Sequence, residues 1–166
     1  MTGSVVRQAG RALRGRRILV VEDEYFLADE LARGLAGAEA EVVGPIATAQ
    51  GALDLLEGPA PPDAAILDVN LAGEDVYPVA DALLALGIPF LFTTGYDQAT
   101  ILGRHASVRR LEKPVDTATV LRALDLILAD RASRTGAAEW RSHGPSAPEW
   151  GTRAQSREFD RILARE

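Results

Sequence analysis

Apolar residues in this chain fall into short continuous blocks, separated by stretches in which they recur every three or four positions. The blocks RILVV (17–21), EVVG (41–44), AAILDV (64–69), IPFLFTT (88–94) and VRRLE (108–112) have no helical period and read as strands. Between them lie helical patterns. Residues 24–36 place Phe26, Leu27, Glu30, Leu31 and Leu35 at helical spacing. Residues 47–58 end at Gly58, and residues 74–87 end at Gly87 with Pro78 in the first turn. Residues 97–105 are short and weak, whereas residues 116–130 are strong and capped by Asp116 or Thr117. The Gly44-Pro45 pair closes the second strand. Unbroken apolar strands alternating with helices predict a parallel sheet covered on both faces.

The periodic part spans 17–130. Before it lies a basic arm, 1–16, which reads as a solvated or self-docking segment; after it comes a tail, 131–166, rich in Gly, Ser, Pro and Arg. The tail reads as flexible, with a short helix possible over 152–165, where Phe159, Ile162 and Leu163 share a face. Charge follows the same division: residues 1–17 carry +5, residues 18–130 carry -13 and residues 131–166 carry +2. An acidic globule repels phosphate backbones, so DNA is not an expected partner. No apolar run approaches the roughly 18 residues of a membrane span, and no secretory h-region is present, so a soluble cytoplasmic protein is expected. The chain has no cysteine, which removes thiolate metal sites and thiol nucleophiles.

In open parallel sheets, ligands bind beyond the carboxyl ends of the strands. Those ends carry Glu22, Asp23 and Glu24 after the first strand and Asp68, Val69 and Asn70 after the third. Thr93, Thr94 and Gly95 follow the fourth, and Lys113-Pro114 follows the fifth. Converging carboxylates repel one another unless a cation lies between them, and hard oxygen ligands of this kind suit Mg²⁺. Lys113 is the only lysine among 18 basic residues. Its compact ammonium suits a crowded site better than the arginine fork used elsewhere. The Thr94 hydroxyl offers a donor to a phosphoryl oxygen, and Gly95 admits close approach of backbone N–H groups. His105 and His143 have no partners at ligand spacing and read as surface residues.

ILVVEDE (18–24), AAILDVNL (64–71), FLFTTGY (90–96) and LEKPVD (111–116) together resemble the receiver domain of two-component response regulators, over residues 17–130. The resemblance implies a flavodoxin-like fold: a doubly wound five-stranded parallel sheet, order 2-1-3-4-5, flanked by five helices. It implies that Asp68 is the phosphoacceptor and that Asp23 binds Mg²⁺ directly. Glu22 would act largely through water, and Asn70 would offer its backbone carbonyl. Thr94 would be the switch hydroxyl. Lys113 would pair with Asp68 and later with the phosphoryl group, and Gly95 would contact that group. The phosphodonor would be a histidine kinase, a histidine phosphotransferase or a small molecule such as acetyl phosphate. The chain would then catalyse its own phosphorylation and dephosphorylation, with no separate substrate turnover.

PFLFTTGY (89–96) further resembles the FAT GUY subgroup of stand-alone receivers, with Thr93 where Ala is usual. That subgroup is associated with kinases of the HWE or HisKA2 type. The family's switch aromatic, three residues before the lysine, is here Arg110, and Tyr96 would take its place. The likeness implies a phosphorelay shuttle, a phosphate sink or a regulator of a partner, acting alone or as a homodimer. Its interaction face would be built from 97–105, 108–112 and 116–130, with Ile101, Leu102, Leu121 and Leu124 assigned to the core. The competing reading is a protein-binding module that keeps the fold without phosphorylation. An aspartyl phosphatase would want Asp-x-Asp where Asp68-Val69-Asn70 stands, and a nucleotide site would want glycines where Glu22-Asp23-Glu24 stands.

Overall fold

The protein is described by a computed structural model covering residues 10–95 and 103–143. Its compact first unit ends at Ala132. Strands β1 (Arg17–Val21), β2 (Glu41–Ile46), β3 (Ala64–Asp68), β6 (Phe90–Thr94) and β7 (Arg110–Glu112) form one parallel sheet in the order β2-β1-β3-β6-β7. Counting only these five strands, the order is the expected 2-1-3-4-5. Two further strands, β4 (Asn70–Leu71) and β5 (Glu74–Asp75), form a small antiparallel hairpin beside it. Helices α1 (Tyr25–Gly37), α2 (Ala49–Leu56), α3 (Tyr77–Ala85) and α4 (Thr117–His143) follow the strands.

The central strands β1, β3 and β6 are apolar along most of their length because alternate residues feed two separate cores. Leu19, Val21, Leu67, Phe90 and Phe92 pack with Ala52 and Leu56 of α2 and Val79 and Leu83 of α3. Ile18, Val20, Ile66 and Leu91 pack on the other face with Leu31 and Leu35 of α1 and Val120 and Leu124 of α4. Asp68, reached at the end of β3, is the first side chain in that strand that is not hydrophobic.

Several expectations need adjusting. β2 does not close at Gly44-Pro45 but continues to Ile46, which pairs with Val21 after a register shift. Gly44 makes this possible: its φ is +100°, and a Cβ there would lie 2.8 Å from the Ile46 nitrogen and 2.9 Å from the Val20 oxygen. The helix expected from residue 74 starts at Tyr77, because Glu74 and Asp75 are taken up by the hairpin. The final helix runs past residue 130 to His143. Its cap is Asp116, whose carboxylate accepts from the Thr119 N–H at 2.8 Å. Phe26 is not on the buried face of α1: it is 81% exposed, edge-on to Tyr25, and the face turned inward is Ala28, Leu31 and Leu35.

His105 is not a surface residue. It closes a short 3₁₀ turn, Gly103–His105, and is fully buried, stacked on Tyr77 and edge-on to Phe90 and Phe92. Its Nε2 lies 3.0 Å from Asp81 Oδ1, yet the angle does not make a hydrogen bond, and both ring nitrogens lack a partner of good geometry. Asp81 instead accepts both arms of the Arg104 fork, at 2.8 and 2.9 Å. The rest of the helix expected over 97–105, with Ile101 and Leu102, lies outside the described residues, as do His143's side chain and the segment 152–165.

The end of the basic arm docks on the domain. Leu13 is fully buried in the core shared by α1 and α4. The Ala12 N–H donates to Asp125 Oδ1 at 2.8 Å, the Gly15 N–H donates to the Glu39 carbonyl at 2.8 Å, and Arg14 grips the Glu39 carboxylate. Among the described residues, no helix is long and apolar enough to cross a membrane.

Candidate functional site

Three carboxylates converge where β1 and β3 end. Oxygens of Glu22, Asp23 and Asp68 all lie within 4.8 Å of one another. Glu22 and Asp68 are only 3% and 4% exposed, whereas Asp23 faces solvent. Adjacent central strands produce this closeness: β1 and β3 pair in register through Val21 and Leu67, so the residues that follow them emerge side by side.

Lys113 enters from the end of β7. Its ammonium donates to Glu22 Oε2 and to Asp68 Oδ2, each at 3.0 Å. The Lys113 N–H donates to the Thr94 carbonyl at 2.7 Å, which ties the two strand ends together, and the Lys113-Pro114 bond is cis. The other oxygen of Asp68 accepts from the Asn70 N–H at 3.0 Å, and Glu22 Oε1 accepts from the Glu24 N–H at 3.1 Å. Both carboxylates are thus held between a backbone N–H two residues on and one shared cation.

The electrostatics follow from burial and crowding. Burial, then the charge of Asp68, raises the Glu22 pKa; the Glu24 N–H and Lys113 oppose this without cancelling it. Burial alone would lower the pKa of Lys113, but the hydrogen bonds and charges of Asp68 and Glu22 together raise it. Lys113 therefore stays protonated at neutral pH. Among the described residues, the cluster sets three carboxyl groups against one ammonium, a formal excess of two negative charges. A divalent cation cancels that excess, and an all-oxygen donor set fits Mg²⁺ in chemical type.

Every expected site residue in the described segments lies on this rim. Thr94 ends β6, is buried, and pairs in register with Glu112. Gly95 follows it, half-buried, and among the described residues a Cβ there would meet nothing within 4 Å. Asn70 stands at the base of the hairpin, paired with Asp75. Tyr96 lies outside the described residues. Arg110 is exposed on β7, paired in register with Phe92. The sequence reading missed the Asn70 N–H as a support for Asp68. The signal was present, since an Asp followed two residues later by a free N–H is the usual Asx turn.

Comparison with known proteins adds the following. No family model matches the chain, and no curated protein matches it. Among solved structures, the chain is similar to SdrG from Sphingomonas melonis Fr1, with 42% identity and a TM-score of 0.61, covering 70% of this chain and 98% of that one. It is similar to a protein described as a response regulator from Chloroflexus aurantiacus J-10-fl, with 30% identity and a TM-score of 0.61, over 70% of this chain and 99% of that one. It shares its fold with the signal receiver domain of a LuxO repressor protein from Vibrio parahaemolyticus, at 22% identity and a TM-score of 0.63, over 75% of this chain and 98% of that one.

Proposed function

The chain belongs to the response regulator receiver family, and from that premise we propose that Asp68 accepts a phosphoryl group from a histidine kinase in a Mg²⁺-dependent reaction. The observation that carries this is the Lys113 ammonium, 3.0 Å from both Asp68 and Glu22, beside the exposed carboxylate of Asp23. Glu22, Asp23, Asp68 and the Asn70 carbonyl would hold the metal. Bound Mg²⁺ supplies positive charge to the phosphoryl oxygens.

An Asp68 carboxylate oxygen forms the new bond to phosphorus as the phosphorus–nitrogen bond of the donor phosphohistidine breaks. The electron pair stays on the departing imidazole, which takes a proton from solvent. Asp68 is preset for attack by the Asn70 N–H, so little reorientation is needed. Lys113, protonated throughout, transfers its contact from the carboxylate to the phosphoryl group and offsets charge there. Thr94 and Gly95, at the end of β6, would offer a hydroxyl and a backbone N–H to the same oxygens.

The signal would be a population shift between two packings of the face built from 97–105 and 108–112, with Tyr96 in the role that Arg110 does not fill. A stand-alone receiver of the FAT GUY type, served by an HWE or HisKA2 kinase and working as a relay, sink or partner regulator, fits the motif at 89–96. Residues 17–130 would be the receiver, 1–16 its arm and 131–166 its tail.

The test is intact-protein mass after incubation with acetyl phosphate and Mg²⁺. One phosphoryl adduct is expected, dependent on Mg²⁺ and absent from Asp68→Ala. No adduct from acetyl phosphate or from a histidine kinase would instead favour a phosphorylation-independent binding module.

A further inference from the structure

We propose that Glu74 is a positioning residue for the Asp68 site: its carboxylate fixes the β4–β5 hairpin that carries Asn70, and so holds Asp68 in its reactive orientation. This rests on the phosphoryl reading above.

The hairpin is small. Asn70 pairs with Asp75 and Leu71 with Glu74, around a turn in which Ala72 and Gly73 have φ of +50° and +89°. Both turn residues are left-handed, as tight hairpins prefer. Two-residue strands do not hold themselves in water. The Asn70 N–H that orients Asp68 is part of this unit, and the Asn70 side chain is spent within it, accepting from the Gly73 N–H.

Leu71 and Val76, both buried, anchor the hairpin in the core. Asp75 accepts from the Tyr77 N–H at 2.9 Å, a local tie two residues long. Glu74 makes the long one: its Oε2 accepts from the Ala49 N–H at 3.1 Å, 25 residues away, at the first residue of α2. A carboxylate is favoured there by the helix dipole. The helix does not depend on it, because Thr48 already caps α2 through the Gly51 N–H. Glu74 is itself exposed, so its removal opens no cavity. Its contact therefore serves the hairpin more than the helix.

The test compares the full-length wild type, Glu74→Ala and Glu74→Gln. Mg²⁺ affinity is read from backbone amide NMR shifts, which also report the fold of each variant. Adduct formation from acetyl phosphate is read by mass at saturating Mg²⁺. The glutamine carbonyl can still accept from Ala49. Glu74→Ala should bind Mg²⁺ about tenfold more weakly, the low end for outer supports of a metal site, and form the adduct more slowly. Glu74→Gln should stay within about twofold of the wild type, as expected if the hydrogen bond rather than the charge matters. Unchanged affinity in Glu74→Ala overturns the proposal. Equal loss in both variants also overturns it, because the effect would then be charge alone. Absence of a wild-type adduct both from acetyl phosphate and from a histidine kinase refutes the phosphoryl reading, while the Mg²⁺ affinities still decide the role of Glu74.

Discussion

Lys113→Met removes the one cation that, among the described residues, pairs with the two buried carboxylates Glu22 and Asp68, while keeping most of the side chain's bulk. The structure fixes the size of the effect. Two charge-assisted hydrogen bonds of 3.0 Å are lost, each contributing about 1.5–3 kcal/mol. Orphaning a buried ion typically costs about 3–5 kcal/mol. Two effects reduce that figure. The Lys113 side chain is 20% exposed, so its own burial penalty is relieved only in part, and Glu22 can escape by taking up a proton. A net loss of about 2–3 kcal/mol is expected at pH 7 in EDTA. Urea unfolding measures it, with Lys113→Met/Glu22→Gln expected to recover at least half. The sign with pH is fixed. The folded-state pKa of Glu22 is raised, so its contribution to stability is full below its ordinary value of 4.5 and lost as pH rises through the folded value. Removing Lys113 takes away a group that opposes this, so the variant should regain stability as pH falls from 7 toward 4.5. Saturating Mg²⁺ should shrink the loss at pH 7. A loss below about 0.5 kcal/mol in EDTA, with no dependence on pH, would mean that Lys113 does not offset the charge of Glu22 and Asp68.

Leu13→Ala should cost about 2.5–5 kcal/mol in the same urea assay, because the residue is fully buried between α1 and α4; a change within about 0.5 kcal/mol would mean that the arm does not dock. His105→Phe should stabilise by about 1 kcal/mol, since it keeps the stack on Tyr77 and removes two buried nitrogens without hydrogen bonds. A thermal midpoint below that of the wild type would show that the 3.0 Å approach to Asp81 matters more than its geometry suggests. Gly44→Ala should lower the midpoint by several degrees, because the new Cβ would press on two backbone atoms at a φ of +100°.

The sheet was legible because its cause is local. A strand that feeds two cores is apolar along its middle, and residues 18–21, 64–67 and 90–92 are so written, the polar residues of β1, β3 and β6 falling only at the strand ends. Where the cause was not local, the reading slipped. Nothing in EVVGPI says that the chain will re-pair after Gly44, because that depends on Val21 being there to receive Ile46. Phe26 sits at helical spacing with Leu31 and Leu35, yet it is left outside, and only the tertiary packing decides which flank of a helix is covered. His105 looked like a lone surface histidine because the aromatic residues that enclose it come from α3 and β6, distant in sequence.

The site divides along the same line. Side chains at strand ends are legible, because a parallel sheet brings all its carboxyl ends to one rim; Glu22, Asp23, Asp68, Thr94 and Lys113 could be named before any coordinates. What holds them was missed: the Asx turn at Asp68 can be read from the sequence, whereas the reach of Glu74 to α2 cannot. The Asn70 N–H on Asp68 and the Glu74 carboxylate on α2 are backbone-directed contacts, carried by a hairpin whose residues spell a helix start as readily as a turn. Reading Glu74 and Asp75 as the start of a helix gave them no part in the site. Reading them as strand places Asn70 opposite Asp75 and frees the Glu74 carboxylate for Ala49. A shift of three residues in one helix boundary thus separates a site drawn from residues at strand ends from one in which a hairpin holds the Asp68 carboxylate through the Asn70 N–H.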